Sequence, residues 1–307
     1  MRNAYIRTLT ELAAEDDRIV ALVADNGAIV YDDYRAKYPT RFFNMGISEA
    51  NMVGVAAGLS ASGKRPFAYT IASFLTMRAF EQIRVDVCMQ EMNVALVGIG
   101  VGFVYSDLGP THHTVEDIAL MRTLPNLTII SPADPLEAAK ATRAAAALDT
   151  PVYLRLATSG TPSIYEDDYP FELGKGVRLA EGSDLTIFAC GNILREVLAA
   201  RALLARDGIH AGVINLHTIK PIDRDIIRQA HADTGRLMVV EEHTIHGGLG
   251  SIVAEVLTES DLGPIRLEKM GLDTFPVGYG TYAEMLDQNG LDAAHIAREA
   301  ARFVEAV

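Results

Sequence analysis

The stretch Phe43-Asn44-Met45-Gly46-Ile47-Ser48-Glu49-Ala50-Asn51-Met52-Val53-Gly54 turns a strand into a helix, and that turn sets the fold class. Arg41-Phe42-Phe43-Asn44-Met45 reads as a short strand. Ser48 can cap a helix that runs to Gly63, its C-terminal stop. From Ala50 to Ser62 the segment is rich in Ala, Val, Met, Leu and Gly and carries no charge, which predicts a helix buried on most sides. Glu49 then sits in the first turn, at the mouth of an apolar helix. Desolvation favours its neutral acid and the helix N-terminus favours its carboxylate, so the residues alone leave the proton's place open. A first-turn Glu that only stabilises the helix dipole is the plain alternative.

Outward from this turn the alternation continues. Ile19–Val23, Phe42–Met45, Pro66–Thr70, Val94–Ile99, Leu127–Ser131 and Val152–Leu156 are short β-rich runs separated by helical patterns, which predicts a mostly parallel α/β sheet. The runs are uniformly apolar, so helices should cover both faces. Residues 158 to 182 carry Pro, Gly, Ser and acidic residues without periodicity and read as a linker. A second α/β set follows, with strands near Leu185–Cys190, Ala211–Asn215, Leu237–Glu241 and Ile265–Lys269 and helices near 192–207, 223–233, 248–258 and 291–305. The expected organisation is therefore two successive parallel-sheet α/β domains, 1–160 and 183–307, joined by a linker at 161–182.

Composition narrows the function. The 307 residues are 49% hydrophobic, enough for two cores, and the formal net charge of −13 argues against nucleic acid or an anionic membrane as partner. No apolar run approaches the roughly 20 residues of a membrane span, and the N-terminus reads as an amphipathic helix rather than a signal peptide. These features fit a cytoplasmic protein. Cys88 and Cys190 lie in separate apolar segments, without disulfide or zinc spacing, and are expected to be buried thiols.

Three further segments carry chemistry. In Tyr69-Thr70-Ile71-Ala72-Ser73-Phe74-Leu75-Thr76-Met77-Arg78-Ala79-Phe80-Glu81-Gln82, aromatics follow a strand, at the end of a parallel sheet where ligands bind. Phe74 or Phe80 could stack on a flat heterocycle, or either could be an ordinary core aromatic. The glycine-rich loop from Gly98 ends in Gly109-Pro110-Thr111-His112-His113, whose histidines could bond substrate oxygens or be bystanders on a loop. Glu241-Glu242-His243-Thr244-Ile245-His246-Gly247-Gly248-Leu249-Gly250 offers His-x-x-His without further ligands, so a glycine-rich helix start is favoured over a metal site.

In this order and spacing the segments resemble the C-terminal half of the transketolase family of thiamine-diphosphate enzymes, over nearly the whole chain. Gly46-Ile47-Ser48-Glu49 is similar to the segment carrying the family's activating glutamate. Ser73-Phe74-Leu75 with Arg78-Ala79-Phe80 resembles its pyrimidine-stacking segment, and Gly109-Pro110-Thr111-His112 its substrate-loop histidine motif. Asn215-Leu216-His217-Thr218-Ile219-Lys220-Pro221-Ile222-Asp223 and Glu241-Glu242-His243 look like landmarks of its C-terminal domain. The resemblance implies a pyrimidine-binding domain followed by the transketolase C-terminal domain. It also implies that Glu49 protonates the cofactor's aminopyrimidine ring nitrogen, favouring the imino tautomer that takes the C2 proton. Phe74, or else Phe80, would stack on the pyrimidine, with Arg78 and Asp25 as further cofactor contacts. His112 would hold a substrate oxygen, and His113 and Asp107 are further substrate candidates.

The family anchors the diphosphate through Mg²⁺ on a Gly-Asp-Gly motif, and this sequence contains none. The expectation is that this chain holds no metal and that an N-terminal transketolase subunit carrying the motif completes an α2β2 enzyme. Positions that hold a sugar phosphate in the family align with Ile29, Gly100 and Thr158, and the family's acidic residue before the glycine aligns with Leu108. The first three changes remove phosphate ligands, which implies an unusual acceptor or a phosphate held by the partner, while Asp107, adjacent to Leu108, could restore the acid through a one-residue loop shift. Substrates would be small sugars or 2-oxo acids. The other readings are the β subunit of a 2-oxo-acid dehydrogenase, a 1-deoxyxylulose-5-phosphate-synthase-like enzyme, or a non-catalytic scaffold subunit.

Overall fold

The computed structural model describes residues 1–158, 160–166, 168–260, 262–276 and 278–306; positions 159, 167, 261, 277 and 307, which fall within the expected domains and linker, lie outside it. Twelve strands among the described residues form two sheets. They are β1 (Ile19–Val23), β2 (Phe42–Asn44), β3 (Arg65–Ile71), β4 (Ala95–Ile99), β5 (Thr128–Ile130), β6 (Val152–Leu156), β7 (Val177–Ala180), β8 (Leu185–Ala189), β9 (Ala211–Asn215), β10 (Thr218–Lys220), β11 (Arg236–Thr244) and β12 (Arg266–Leu272). The first sheet runs β10-β5-β6-β4-β3-β1-β2 and the second β12-β11-β8-β9-β7. All pairings are parallel except β10 on β5 and β7 on β9.

Alternation of side chains explains how apolar runs become central strands. In β1, Val20 and Leu22 join one core with Met52, Val53 and Ile83, whereas Ile19, Ala21 and Val23 join another with Tyr5, Leu9 and Ala138. Every residue of β1, β4, β6, β8 and β9 is buried. The first of these cores continues into the second half through Phe188, Ile214, Leu237 and Val253, so the halves share apolar packing. Cys88 and Cys190 are buried free thiols, and burial pushes both up, Cys88 to about 11 and Cys190 to about 12.

Three readings of the sequence are corrected here. The stretch expected as structureless linker contains β7, a four-residue edge strand whose half-buried Val-Arg-Leu-Ala pattern is too short to show a period. Thr218–Lys220, part of a family landmark in which no strand is expected, is β10, which leaves the second half to pair with the edge of the first sheet. The helix after the opening turn, Glu49–Ala61, is buried on one face only. Met52, Val53, Ala56 and Ala57 face the core, while Asn51, Val55 and Gly58 are exposed. After Glu49 the helix carries no charge and only Asn51 and Ser60 as polar residues, too few to mark a solvent face, so its sequence does not tell a face buried by its own chain from one left open. Among the described residues no helix is long and apolar enough to cross a membrane.

Candidate active site at the carboxyl ends of the first sheet

Neighbouring strands β4, β3, β1 and β2 end together, and each hands the chain to a short connection: Gly100 after β4, Ala72-Ser73 after β3, Asp25 after β1 and Met45-Gly46 after β2. The last two are tied to each other. Asn44 Oδ1 accepts from the backbone N–H of Asp25 (3.1 Å) and of Gly46 (3.0 Å), and its Nδ2 donates to Asp25 Oδ1 (3.0 Å). These bonds hold Asp25 at φ 58°, a left-handed conformation uncommon outside glycine. Asn44 belongs to the framework of the candidate site and was not marked in the sequence; its spacing to Gly46 is that of an Asx turn, the signal that could have marked it. Ser48 takes the N-cap position without a side-chain capping bond, so the backbone turn places Glu49.

Glu49 is 2% exposed, and its Oε2 accepts from Arg78 Nη1 at 2.9 Å. Arg78 is 48% exposed and lies at the end of Phe74–Arg78, a stretch wound as π-helix, a rare geometry that recurs at functional sites. Within this wide turn the Arg78 guanidinium covers the Phe74 ring, 4.3 Å from its centroid. Phe74 in turn meets the His112 ring at 5.1 Å and 64°, and Tyr105 stands edge-on to His112 at 6.5 Å and 89°. Thr111 Oγ1 lies 3.0 Å from His112 Nδ1, and among the described residues no protein group bonds Nε2. A buried carboxylate, a planar cation, an aromatic face and an imidazole therefore form one contact chain across the strand ends.

The remaining expected residues lie off this contact chain, His113 bordering it through a cavity shared with Ser73 and Thr111. Phe80 is half-buried in a separate groove of about 640 Å³ with Arg84, Met89 and Pro125, so it does not share the Phe74 face. His113 is buried against Phe103 (5.4 Å, 88°), and burial holds its imidazole below the usual range. It lines a small cavity of about 290 Å³ with Glu116 and Phe275. Asp107 is exposed on the turn Ser106–Leu108, and among the described residues it makes no hydrogen bond or ion pair. The acidic pair of the second half serves the fold. Glu241 accepts from Leu249 N–H (2.7 Å) and Gly250 N–H (3.0 Å) at the start of the helix Leu249–Thr258, the glycine-rich helix start expected from the sequence. Glu242 accepts from Phe103 N–H and from Tyr282 O–H. His243 accepts at Nε2 from Ala119 N–H and donates at Nδ1 to Thr244 C=O, a neutral imidazole whose burial holds its titration down.

The sequence matches the family model for the transketolase pyrimidine-binding domain over residues 1–162 and that for the transketolase C-terminal domain over residues 174–296. This chain belongs to the transketolase family. Transketolases are transferases that depend on thiamine diphosphate. One of the subunits of the apulose-4-phosphate transketolase of Phocaeicola vulgatus is 38% identical over 306 residues, 99% of this chain and 97% of the relative. The 6-deoxy-6-sulfo-D-fructose transketolase subunit SqwH of a Clostridium species is 38% identical over 308 residues, 99% of this chain and 94% of the relative. A solved structure of a split-gene transketolase, an inactive β4 tetramer, superposes with a TM-score of 0.91 at 40% identity, covering 99% of this chain and 97% of that one. The chain is thus similar from end to end to transketolase subunits of its own length.

Proposed function

We propose that this chain is the C-terminal subunit of a split transketolase that moves a two-carbon ketol unit to an aldehyde, and that an N-terminal subunit with a Gly-Asp-Gly motif holds the diphosphate and Mg²⁺. The observation that carries this reading is the Glu49–Arg78–Phe74 arrangement. It is a carboxylate 2% exposed, bonded to a half-exposed guanidinium that lies over an aromatic face. A planar aminopyrimidine asks for the same two things, a carboxyl at a ring nitrogen and a flat face to stack on, so the residues present fit the group. When bound, thiamine diphosphate supplies the nucleophilic carbon that carries the two-carbon fragment. Glu49 holds and returns a proton at the pyrimidine ring nitrogen. Phe74 offers its face to that ring, Arg78 and Asp25 border it, and His112 bonds a hydroxyl or carbonyl oxygen of the substrate.

Two observations support an active site completed by another chain. The strand-end shelf is rimmed by exposed apolar side chains, Ile47 at 75% with Phe43, Val55 and Met77, which a covering surface would take out of water. Two cavities among the described residues, of about 700 and 640 Å³, are lined by residues outside the Glu49–His112 chain of contacts, and the cavity that borders it, beside Ser73 and Thr111, is only about 290 Å³. A cytoplasmic α2β2 assembly belongs to the same reading, supported by relatives that are themselves subunits. With Ile29, Gly100 and Thr158 in place of the family's phosphate ligands, the acceptor is an aldehyde other than an ordinary sugar phosphate, or its phosphate is held by the partner.

The test is reconstitution with the product of a neighbouring gene that encodes a transketolase N-terminal half. With thiamine diphosphate and Mg²⁺ the pair is expected to transfer ketol units, and the lone chain to be inactive. Thiamine-dependent turnover by the lone chain would overturn the split-site reading. A requirement for a lipoyl acceptor would replace it with a 2-oxo-acid dehydrogenase, and preference for ribose 5-phosphate with xylulose 5-phosphate would remove the acceptor proposal.

A further inference from the structure

We infer that Tyr105 is the residue of this chain that limits acceptor length, by walling the cleft beside His112 on the β4 side. The inference rests on the transketolase reading above. Gly100, which follows β4, has φ +80°, and a Cβ placed there would lie 2.0 and 2.2 Å from two carbons of the Tyr105 ring. The ring therefore fills the volume that a side chain at position 100 would take, and the two are mutually exclusive. Tyr105 is half-buried and packs on the core that holds Tyr5, Val97 and Ile99, and its hydroxyl lies beside the side chains of Asn26 and Arg2. It is thus held at both ends, by the core and by the loop that follows β1. Its edge meets the His112 ring at 6.5 Å, so a substrate oxygen bonded by His112 has an aromatic wall one ring away.

This placement has a chemical consequence. A short hydroxyaldehyde of two or three carbons can sit at His112 without reaching the wall. A longer acceptor has to turn away from β4 or displace a ring fixed at both ends. One methylene too many in a shaped pocket changes kcat/KM by about 10- to 200-fold, so a wall here is large enough to set chain-length preference. In the sequence Gly100 stands out only as the place of a lost family ligand, and Tyr105 does not stand out at all. The glycine removes a side chain and the tyrosine five residues later supplies one, and the pairing is visible only in three dimensions.

The experiment uses the reconstituted pair with one ketol donor and three unphosphorylated acceptors: glycolaldehyde, glyceraldehyde and erythrose. Tyr105→Ala is expected to raise the kcat/KM ratio of erythrose to glycolaldehyde by about 10-fold or more. Tyr105→Phe, which keeps the ring and loses the hydroxyl, is expected to hold that ratio within about 3-fold of the parent. Should Tyr105→Ala not fold by circular dichroism, Tyr105→Leu carries the same expectation with more apolar bulk for the loop. A uniform fall in kcat/KM for all three acceptors would mean a structural role only and overturn the inference, as would a Tyr105→Phe ratio as altered as that of Tyr105→Ala. If the unsubstituted pair transfers no ketol unit to any aldehyde, the transketolase reading itself has failed and the Tyr105 inference falls with it. If the parent is active and only the ratio stays fixed, Tyr105 alone is refuted.

Discussion

Glu49 is almost fully buried while its partner Arg78 is half in water, and this asymmetry decides what each substitution does. Removing Arg78 strands a buried carboxylate, whereas removing the carboxylate leaves a cation that can turn to solvent. Arg78→Met is therefore expected to lower the stability of the lone chain by on the order of 2–4 kcal/mol, and Glu49→Gln by less than about 1 kcal/mol. Urea unfolding midpoints measure the difference, and equal losses would contradict it. In the reconstituted enzyme the order reverses for activity. Glu49→Gln cannot release a proton and is expected to reduce kcat by about 10²- to 10⁴-fold. At this scale the sequence marked Glu49, Phe74 and His112, because a charge in an apolar turn and aromatics after a strand are anomalies visible in one dimension. It could not mark Arg78 as the cover of Phe74, nor Asn44 as the clasp between two strand ends, since those parts depend on which loops meet. Phe80, six residues after Phe74 in the same motif, lies in another groove, because residues six apart do not share a helix face, where neighbours are three or four apart.

At the scale of elements, β11 shows how neighbouring residues come to serve different ends. Glu241 and Glu242 point to opposite sides of the strand, one capping the helix Leu249–Thr258 and the other reaching across to Phe103 of the first half. Gly102 admits this reach, since a Cβ there would lie 2.3 Å from the Glu242 carboxyl carbon. Burial pushes the Glu242 carboxyl up to about 7 from its ordinary 4.5. The folded protein thus binds a proton between these values that the unfolded chain has released. The stabilisation this gives is complete below about pH 4.5 and lost as pH rises through about 7. A displacement of this size is worth on the order of 3 kcal/mol. Other buried groups titrate over the same range, His217 in the opposite sense with its imidazole held down to about 4, so the difference between parent and variant isolates Glu242. Glu242→Gln, which cannot titrate, should gain stability relative to the parent between pH 5 and pH 8, and a difference that stays flat over that range would refute the assignment. The strands of the second half with long apolar runs were legible in sequence. β7 and β10 were not, because three or four residues carry no period and their partners lie on other elements.

For the whole molecule the question is whether two sheets make two folding units. The expected linker predicts independence, but the contacts argue for one body. β10 pairs with β5, Ser131 N–H donates to His217 C=O at 2.8 Å, and Lys220 Nζ donates to the carbonyls of Arg122 and Leu124. Asn215 donates to both carboxylate oxygens of Glu137, at 2.9 and 3.1 Å, and Tyr165 O–H bonds the same group from the connecting segment. Arg155, buried in β6, bridges Asp117 at 2.8 Å and the Glu242 carbonyl. Buried polar groups that find their partners only across the seam would all be stranded if one half opened alone, at about 1–3 kcal/mol each. The shared apolar core adds to that penalty. Calorimetry of the lone chain should therefore show one transition whose calorimetric and van't Hoff enthalpies agree. Asn215→Ala, which leaves the buried Glu137 carboxyl short of two bonds, should lower that single midpoint rather than split it. Two resolved transitions in the parent would show that the halves are held together only by the chain that joins them.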